Sequence, residues 1–136
     1  MLRIGFLPSD FNPMMLMLGE AEDLHRLAAT LRGFAREPAD APLDASCVRL
    51  AASDGPLGIH PANDDNGAFL WRLDRAHAQY FADQIDSLAQ PTRVAGSEIL
   101  ECTTENEIPV KVSRGEYTDD FLLADRNSLP RRVLHS

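Results

Sequence analysis

Two amphipathic helical segments constrain the fold of this chain more than any other feature. Apolar residues recur at intervals of three and four positions over residues 24–35, and they recur in the same way over 78–89. Pro38 and Pro91 follow these segments and end each helix. Acidic residues precede the first segment, and Asp74 stands at the N-cap position of the second. Each helix therefore has one apolar stripe that must pack against another element.

The two helical segments align with each other at an offset of 54 positions, which places apolar residues opposite apolar residues along the stripe. Further upstream, residues 5–8 resemble residues 58–61 at an offset of 53. Strand, Pro-containing loop, strand and helix thus occur twice in the same order. This pattern predicts two β-β-α repeats, residues 2–36 and 56–90. The alternative is that any two amphipathic helices align, because all of them share one period.

Strand-length segments make up most of the remaining chain. Residues 14–18 are five consecutive apolar residues, which is typical of a strand covered on both faces. Residues 98–102 and 108–112 predict a C-terminal hairpin. Pro109 and Lys111 indicate that its second strand lies at a sheet edge or is exposed on one side. We therefore expect an α+β fold, with a mostly antiparallel sheet and the two helices on one face of it.

The length of 136 residues and the mass of 15.0 kDa are those of one domain. We predict a single domain over residues 1–136 with a short tail at 127–136. Residues 118–125 predict a short helix before this tail, and a strand is the alternative. No run of 18 apolar residues occurs, so we expect no transmembrane segment.

The formal net charge of −8 bears on the choice of partner. An acidic chain repels phosphate, so we expect no nucleic-acid binding and no contact with an anionic membrane surface. The same field attracts a basic protein or a cationic ligand, although it is also typical of a chain that is merely kept soluble. Arginines outnumber lysines twelve to one. This bias reflects a GC-rich coding sequence and predicts a bacterial protein, which we place in the cytoplasm.

Two cysteines, Cys47 and Cys102, lie far apart in the sequence. They lack the C-x-x-C spacing of zinc and thioredoxin sites. We predict that both are small buried apolar residues and that the chain binds no cofactor.

His60 adjoins an acidic loop at residues 61–67. His60, Asp64 and Asp65 could ligate a divalent metal if the loop folded back. Asn and Asp are also typical of turns, and the spacing lacks the closing Glu of a calcium loop. We therefore predict a turn without a bound metal. We also expect any binding surface to involve this loop more than either helix face, because loops tolerate variation.

The densest polar cluster follows the C-terminal hairpin. It consists of Arg114, Glu116, Tyr117, Asp119 and Asp120. Such a group could perform acid–base chemistry if it faced a cleft. The alternative is a solvated helix start, since acidic residues favour the first turn of a helix.

No nucleophile–base pair or phosphate loop is evident in the sequence. The leading hypothesis is a non-catalytic protein-binding module of the toxin-neutralising or regulatory type. The chain is similar in size and acidity to many small bacterial partner-binding proteins, a general likeness that assigns no residues. The alternative is a small hydrolase or metal-assisted enzyme that uses the His60, Asp64 and Asp65 group or the 116–120 cluster. Strand addition at the 108–112 edge would produce a homodimer. The sequence does not favour the homodimer over the monomer.

Overall fold

A computed structural model describes residues 2–8, 13–43, 48–52, 55–62, 68–92 and 95–115. The helices are α1 (Ala21–Arg36) and α2 (Arg75–Leu88). The strands are β1 (Arg3–Leu7), β2 (Met14–Leu18), β3 (Ala41–Pro42), β4 (Val48–Ala52), β5 (Gly58–Pro61), β6 (Phe69–Leu73), β7 (Gly96–Leu100) and β8 (Val110–Arg114). Neither of these helices combines the length and the apolar character that crossing a bilayer requires. The predicted short helix at 118–125 and the tail at 127–136 lie outside the described residues.

Both helices begin and end where the sequence predicts. The carboxylate of Asp23 turns back to accept the Glu20 N–H at 2.9 Å, which satisfies one backbone donor at the start of α1. Asp74 caps α2, because its Oδ1 accepts the His77 N–H at 2.7 Å. The apolar stripes are buried, and the two helices pack against each other.

The strands form two sheets rather than the single sheet that we expected. Sheet 1 has the order β1-β2-β8-β7, and sheet 2 has the order β3-β4-β6-β5. The central pair of each sheet is parallel, and the two outer pairs are antiparallel. The α+β class is therefore confirmed, and antiparallel pairs outnumber parallel ones. The expectation that both hairpins join one sheet is wrong.

The chain consists of two halves with the same element order, β-β-α-β-β: β1 to β4 with α1, and β5 to β8 with α2. Two sheets arise because these halves exchange one hairpin each. The hairpin before the helix starts one sheet, whereas the hairpin after the helix adds to the other half's sheet. Thus β3 and β4 join β5 and β6, while β7 and β8 join β1 and β2. The parallel central pairs follow from this exchange, since each links strands that are distant in sequence.

The strand registers support two equivalent halves. Met17 lies opposite Val112 in sheet 1, and Trp71, 54 positions after Met17, lies opposite Leu50 in sheet 2. The first strands are related by 55 positions, because β1 and β5 place Ile4 and Ile59 opposite Met17 and Trp71. The 53-position match of residues 5–8 with 58–61 is therefore displaced by two residues. A displacement of two keeps the same side chains on the same face.

The C-terminal hairpin is present but occupies another place than expected. Its strands are β7 and β8, two residues away from the predicted boundaries at each strand. β8 lies between β2 and β7, so the edge-strand prediction for 108–112 is wrong, whereas the alternative of one exposed side agrees with the partly exposed Lys111 between buried Val110 and Val112. Pro109 precedes the strand and uses only its carbonyl, which accepts the Met15 N–H at 3.0 Å. Lys111 is then a residue of a central strand, and the homodimer through this edge loses its basis.

One apolar core joins both helices to one face of each sheet. Alternate strand residues point into it, as the period of two requires. Its largest fully buried side chains include Met15, Met17, Leu50, Trp71 and Phe81. The sheet faces that point away from this core are the outer faces, and they differ between the two sheets.

Candidate functional site

The predicted site residues fall partly outside the described structure. His60 and Arg114 are described, and they lie in different sheets. The other six candidates, Asp64, Asp65, Glu116, Tyr117, Asp119 and Asp120, lie outside the described residues. The metal hypothesis for the 61–67 loop and the acid–base hypothesis for the 116–120 cluster therefore stay predictions. Within the described ranges, no three His, Cys, Asp or Glu side chains are grouped to hold a metal ion.

His60 of strand β5 forms a hydrogen bond with the loop at residues 101–109. Ile59 faces the core, so His60 points to the outer face of sheet 2. Its Nε2 lies 3.1 Å from the Glu105 carbonyl oxygen. A carbonyl only accepts, so Nε2 carries the proton and donates. Nδ1 is buried and has no hydrogen-bond partner in the described part of the chain.

The same loop covers the outer edge of β5. The Ile108 N–H donates to the Ile59 carbonyl at 2.8 Å, and the Thr104 hydroxyl donates to the Leu57 carbonyl at 2.5 Å. Glu107 holds the loop in shape by accepting the backbone N–H groups of Cys102 at 2.7 Å and of Thr104 at 3.1 Å. These contacts protect an edge that would otherwise pair with another strand.

Cys102 lies beside this loop and is half-buried against the core. Burial, and then the negative charge of Glu107, raises the pKa of its thiol to about 12. A thiol with such a pKa is not a nucleophile near neutrality, because the thiolate is the reactive form. The prediction of an apolar packing role agrees with this placement, although burial is incomplete. Cys47 lies outside the described residues.

Arg114 caps the C-terminus of α2. One guanidinium nitrogen donates to the carbonyl of Leu88 at 2.8 Å and to that of Gln90 at 3.0 Å. The Leu88 carbonyl is one that the helix end leaves without a partner, Gln90 lies just beyond the C-cap, and a cation there also complements the helix dipole. The structure therefore gives Arg114 a structural role, whereas the sequence placed it in a candidate acid–base cluster.

The outer face of sheet 2 carries two arginines beside a partly exposed leucine. One row across its four strands runs Pro42, Arg49, Leu70 and His60, and the next row contains Ala51, Arg72 and Gly58. Arg49 and Leu70 are direct cross-strand neighbours, and Arg72 follows Leu70 on the same face. We call Arg49, Leu70 and Arg72 the arginine face.

Two of the three equivalent positions of sheet 1 are closed, and the third, Lys111, corresponds to Arg49 and is partly exposed. Leu16 and Leu18 correspond to Leu70 and Arg72, and they are only 1% and 2% exposed. By contrast, Leu70 and Arg72 are partly exposed, and Arg49 is exposed. The two halves share strand order and register, so this difference identifies one of two equivalent faces as open.

The arginine face carries positive charge that the described structure does not neutralise. Neither Arg49 nor Arg72 has an ion-pair partner among the described side chains. Other arginines do: Arg26 lies 2.6 Å from Asp23, and Arg32 lies 2.8 Å from Asp83. Asp40, which precedes β3, accepts the Ala52 N–H at 3.1 Å, and Glu107 accepts backbone N–H groups of its own loop.

Sequence reasoning did not identify the arginine face. The alternation in residues 46–50 and 68–73 does indicate which residues point away from the core. It does not indicate that β4 and β6 are parallel neighbours, and only this pairing brings Arg49 and Arg72 together.

Comparisons of the chain with protein-family models, with curated proteins and with solved structures found no match.

Proposed function

We propose that this chain is a non-catalytic protein-binding module and that it binds its partner through the arginine face of sheet 2. The observation that carries the proposal is the contrast between two equivalent sheet faces. The outer face of sheet 1 is closed at Leu16 and Leu18, while sheet 2 leaves Leu70 and Arg72 partly exposed and Arg49 exposed. Arginine is enriched at protein interfaces, and the partly exposed Leu70 beside Arg49 adds apolar surface that a partner could bury.

The contacts of the described polar groups favour binding over catalysis. Glu107 accepts two backbone N–H groups of its own loop, and Asp74 accepts the N-cap hydrogen bond of α2. Cys102 is protonated near neutrality. Arg114 donates to the end of α2. Each of these groups performs a structural task that a reacting group would have to abandon.

The composition supports a bacterial cytoplasmic setting for this function. The strong excess of arginine over lysine is typical of GC-rich bacterial coding sequences. We extend the proposal to a bacterial cytoplasmic module, which a fractionation experiment in the native host would check.

Site-specific photo-crosslinking tests the proposed surface. A photoreactive amino acid replaces Leu70 in one variant and Tyr80 in a matched control, because Tyr80 is 60% exposed but lies on α2. We expect a defined protein adduct from position 70 in the native host and none from position 80. The purified partner should then bind the wild-type chain and lose at least tenfold in affinity for Leu70→Ser but not for Tyr80→Ser. Crosslinking from position 80 alone, or from neither position, would overturn the proposal.

A further inference from the structure

Resting on the proposed function, we infer that the partner presents an acidic segment to the arginine face, with carboxylates on both sides of an apolar residue. The apolar residue contacts Leu70, and the carboxylates pair with Arg49 and Arg72. This differs from the basic partner that the net charge of −8 favours. The difference arises because a docked segment contacts a local surface, whereas net charge describes only the field at a distance.

The spacing of the two arginines fits an extended segment. Arg49 lies opposite Leu70, and Arg72 is two residues further along the neighbouring strand. Strands lie roughly 4.8 Å apart and rise roughly 3.3 Å per residue, so the two arginine Cα atoms are about 8 Å apart. Same-face residues of an extended peptide are about 6.6 Å apart. Acidic residues four positions apart, on either side of a same-face apolar residue, are about 13 Å apart, and the long arginine side chains can reach outward to both of them.

Each guanidinium can hold a carboxylate through two parallel hydrogen bonds. Arg49 and Arg72 have no acidic partner among the described side chains, so pairing with a ligand breaks no ion pair there. Leu70 lies beside Arg49, and its contact with an apolar residue adds the burial that two surface ion pairs alone do not supply. The arginine face therefore favours a segment that carries both carboxylates and an apolar residue.

The neighbouring residues limit what else the face accepts. His60 directs its Nε2–H to the Glu105 carbonyl, so that proton is not available to a ligand. A long polyanion would extend past the two arginines over a chain that is acidic as a whole. A short acidic segment meets only the local positive charge. Charge complementarity therefore favours a peptide segment over nucleic acid.

Fluorescence anisotropy with defined peptides tests this inference. The probe is a labelled peptide with the core Glu-Ser-Leu-Ser-Glu in Gly-Ser flanks, and the comparison peptides replace both Glu by Gln or by Lys, or Leu by Ser. We expect the Glu peptide to bind at least tenfold more tightly than each of the other three. Arg49→Gln and Arg72→Gln should each weaken binding about tenfold, and added salt should weaken it further.

Arg75→Gln is the matched control, since Arg75 is an exposed arginine that belongs to α2 and not to sheet 2. It should leave affinity unchanged, and circular dichroism melting should show that all three variants are folded. Equal binding of the Glu and Gln peptides, or tighter binding of the Lys peptide, would overturn the inference. Tighter binding of a labelled single-stranded oligonucleotide than of the Glu peptide would also overturn it. The same holds if low millimolar phosphate makes the Glu peptide bind no more tightly than the three comparison peptides.

The two proposals fail separately. If position 70 crosslinks a partner whose affinity does not change in Arg49→Gln and Arg72→Gln, the acidic-segment inference is wrong and the protein-binding surface stands. If position 70 crosslinks no partner, the proposed function is wrong.

Discussion

Arg32 of α1 and Asp86 of α2 occupy equivalent positions in the two halves of the chain, and they form an ion pair with each other. A position that contacts its own equivalent lies on the approximate two-fold axis that the reciprocal exchange of hairpins implies. In a dimer of identical chains, this position would place two like residues together. A single chain with two halves can place opposite charges there instead.

A double-mutant cycle should detect this pair. Arg32→Ala and Asp86→Ala should each destabilise the fold, and the coupling free energy between them should be about 0.5–1 kcal/mol, because both side chains are partly shielded from solvent. The control is the exposed pair Glu22 and Arg26, whose nitrogen and oxygen atoms are 3.5 Å apart and whose coupling should be smaller, about 0.3 kcal/mol, as for other exposed pairs four residues apart on a helix. Urea unfolding measures both cycles. Equal coupling in the two cycles would contradict a special role for the axial pair.

Truncation of equivalent core residues should have comparable effects in the two halves. Leu27 and Phe81 are 54 positions apart and are both buried. Leu27→Ala should cost about 2–5 kcal/mol and Phe81→Ala about 3–5 kcal/mol, since each leaves a cavity in a packed core. Tyr80→Ala is the control, because this exposed neighbour should change the free energy of unfolding by less than about 0.5 kcal/mol. A small effect at only one of the two core positions would show that the halves pack differently.

The local elements of this fold are predictable from sequence, and the long-range arrangement is not. The helix boundaries follow from Pro38, Pro91 and the cap at Asp74, all of which act within a few residues. The two-sheet arrangement depends on pairing β4 with β6 and β8 with β2. An alternation pattern specifies which face of a strand is apolar but not which strand lies beside it. The arginine face depends on that pairing, so it could not be predicted.

Lys111 led to an incorrect prediction of where the strand lies in its sheet. Lysine and proline often protect edge strands, and this predicted an edge at 108–112. In the structure, Lys111 points to the outer face of central strand β8, and Pro109 lies just before that strand. The edges of sheet 1 are β1 and β7, and β7 carries Ile99, which is 43% exposed.

Gly58 should not tolerate a side chain. Its φ is +97°, and a Cβ at this position would lie 2.2 Å from Oε2 of Glu107. We expect Gly58→Ala to destabilise the protein by about 2 kcal/mol or more, because the substitution adds both backbone strain and a clash with a carboxylate that organises the 101–109 loop. Gly33→Ala is the matched control. Gly33 lies within α1, and a Cβ there would make only an ordinary contact with Arg36 Nη2 at 3.9 Å, so alanine should stabilise by about 0.5–1 kcal/mol. Thermal unfolding of the two variants should therefore shift in opposite directions.

The cap of α2 should make stability depend on pH in the acidic range. The backbone N–H of His77 is the main cause that lowers the pKa of Asp74. The folded-state pKa lies below the unfolded value of about 3.9. The stabilisation by the ionised Asp74 cap is therefore fully present above about pH 3.9, and it is lost as the pH falls through the folded-state pKa. Asp74→Ala should cost about 1 kcal/mol at pH 7, and this difference from wild type should shrink below about pH 4. Asp74→Asn keeps the cap without a titrating group. In urea unfolding, the stability difference between Asp74→Asn and Asp74→Ala should therefore not shrink as the pH falls. A constant gap between wild type and Asp74→Ala from pH 7 to 3 would contradict the assignment.

The reciprocal exchange of hairpins predicts that neither half folds alone. Residues 1–54 would contain β1 and β2 without β8 and β7, and residues 55–136 would contain β5 and β6 without β4 and β3. Each half would then hold two separate two-stranded hairpins, which are at best marginally stable in water. Mixed in equal amounts, the fragments should restore both sheets and the contact between the helices. Amide resonances of isotope-labelled 1–54 should therefore be poorly dispersed alone and dispersed after addition of 55–136. A well-dispersed monomeric spectrum for either fragment alone would show that the exchange is not required for folding.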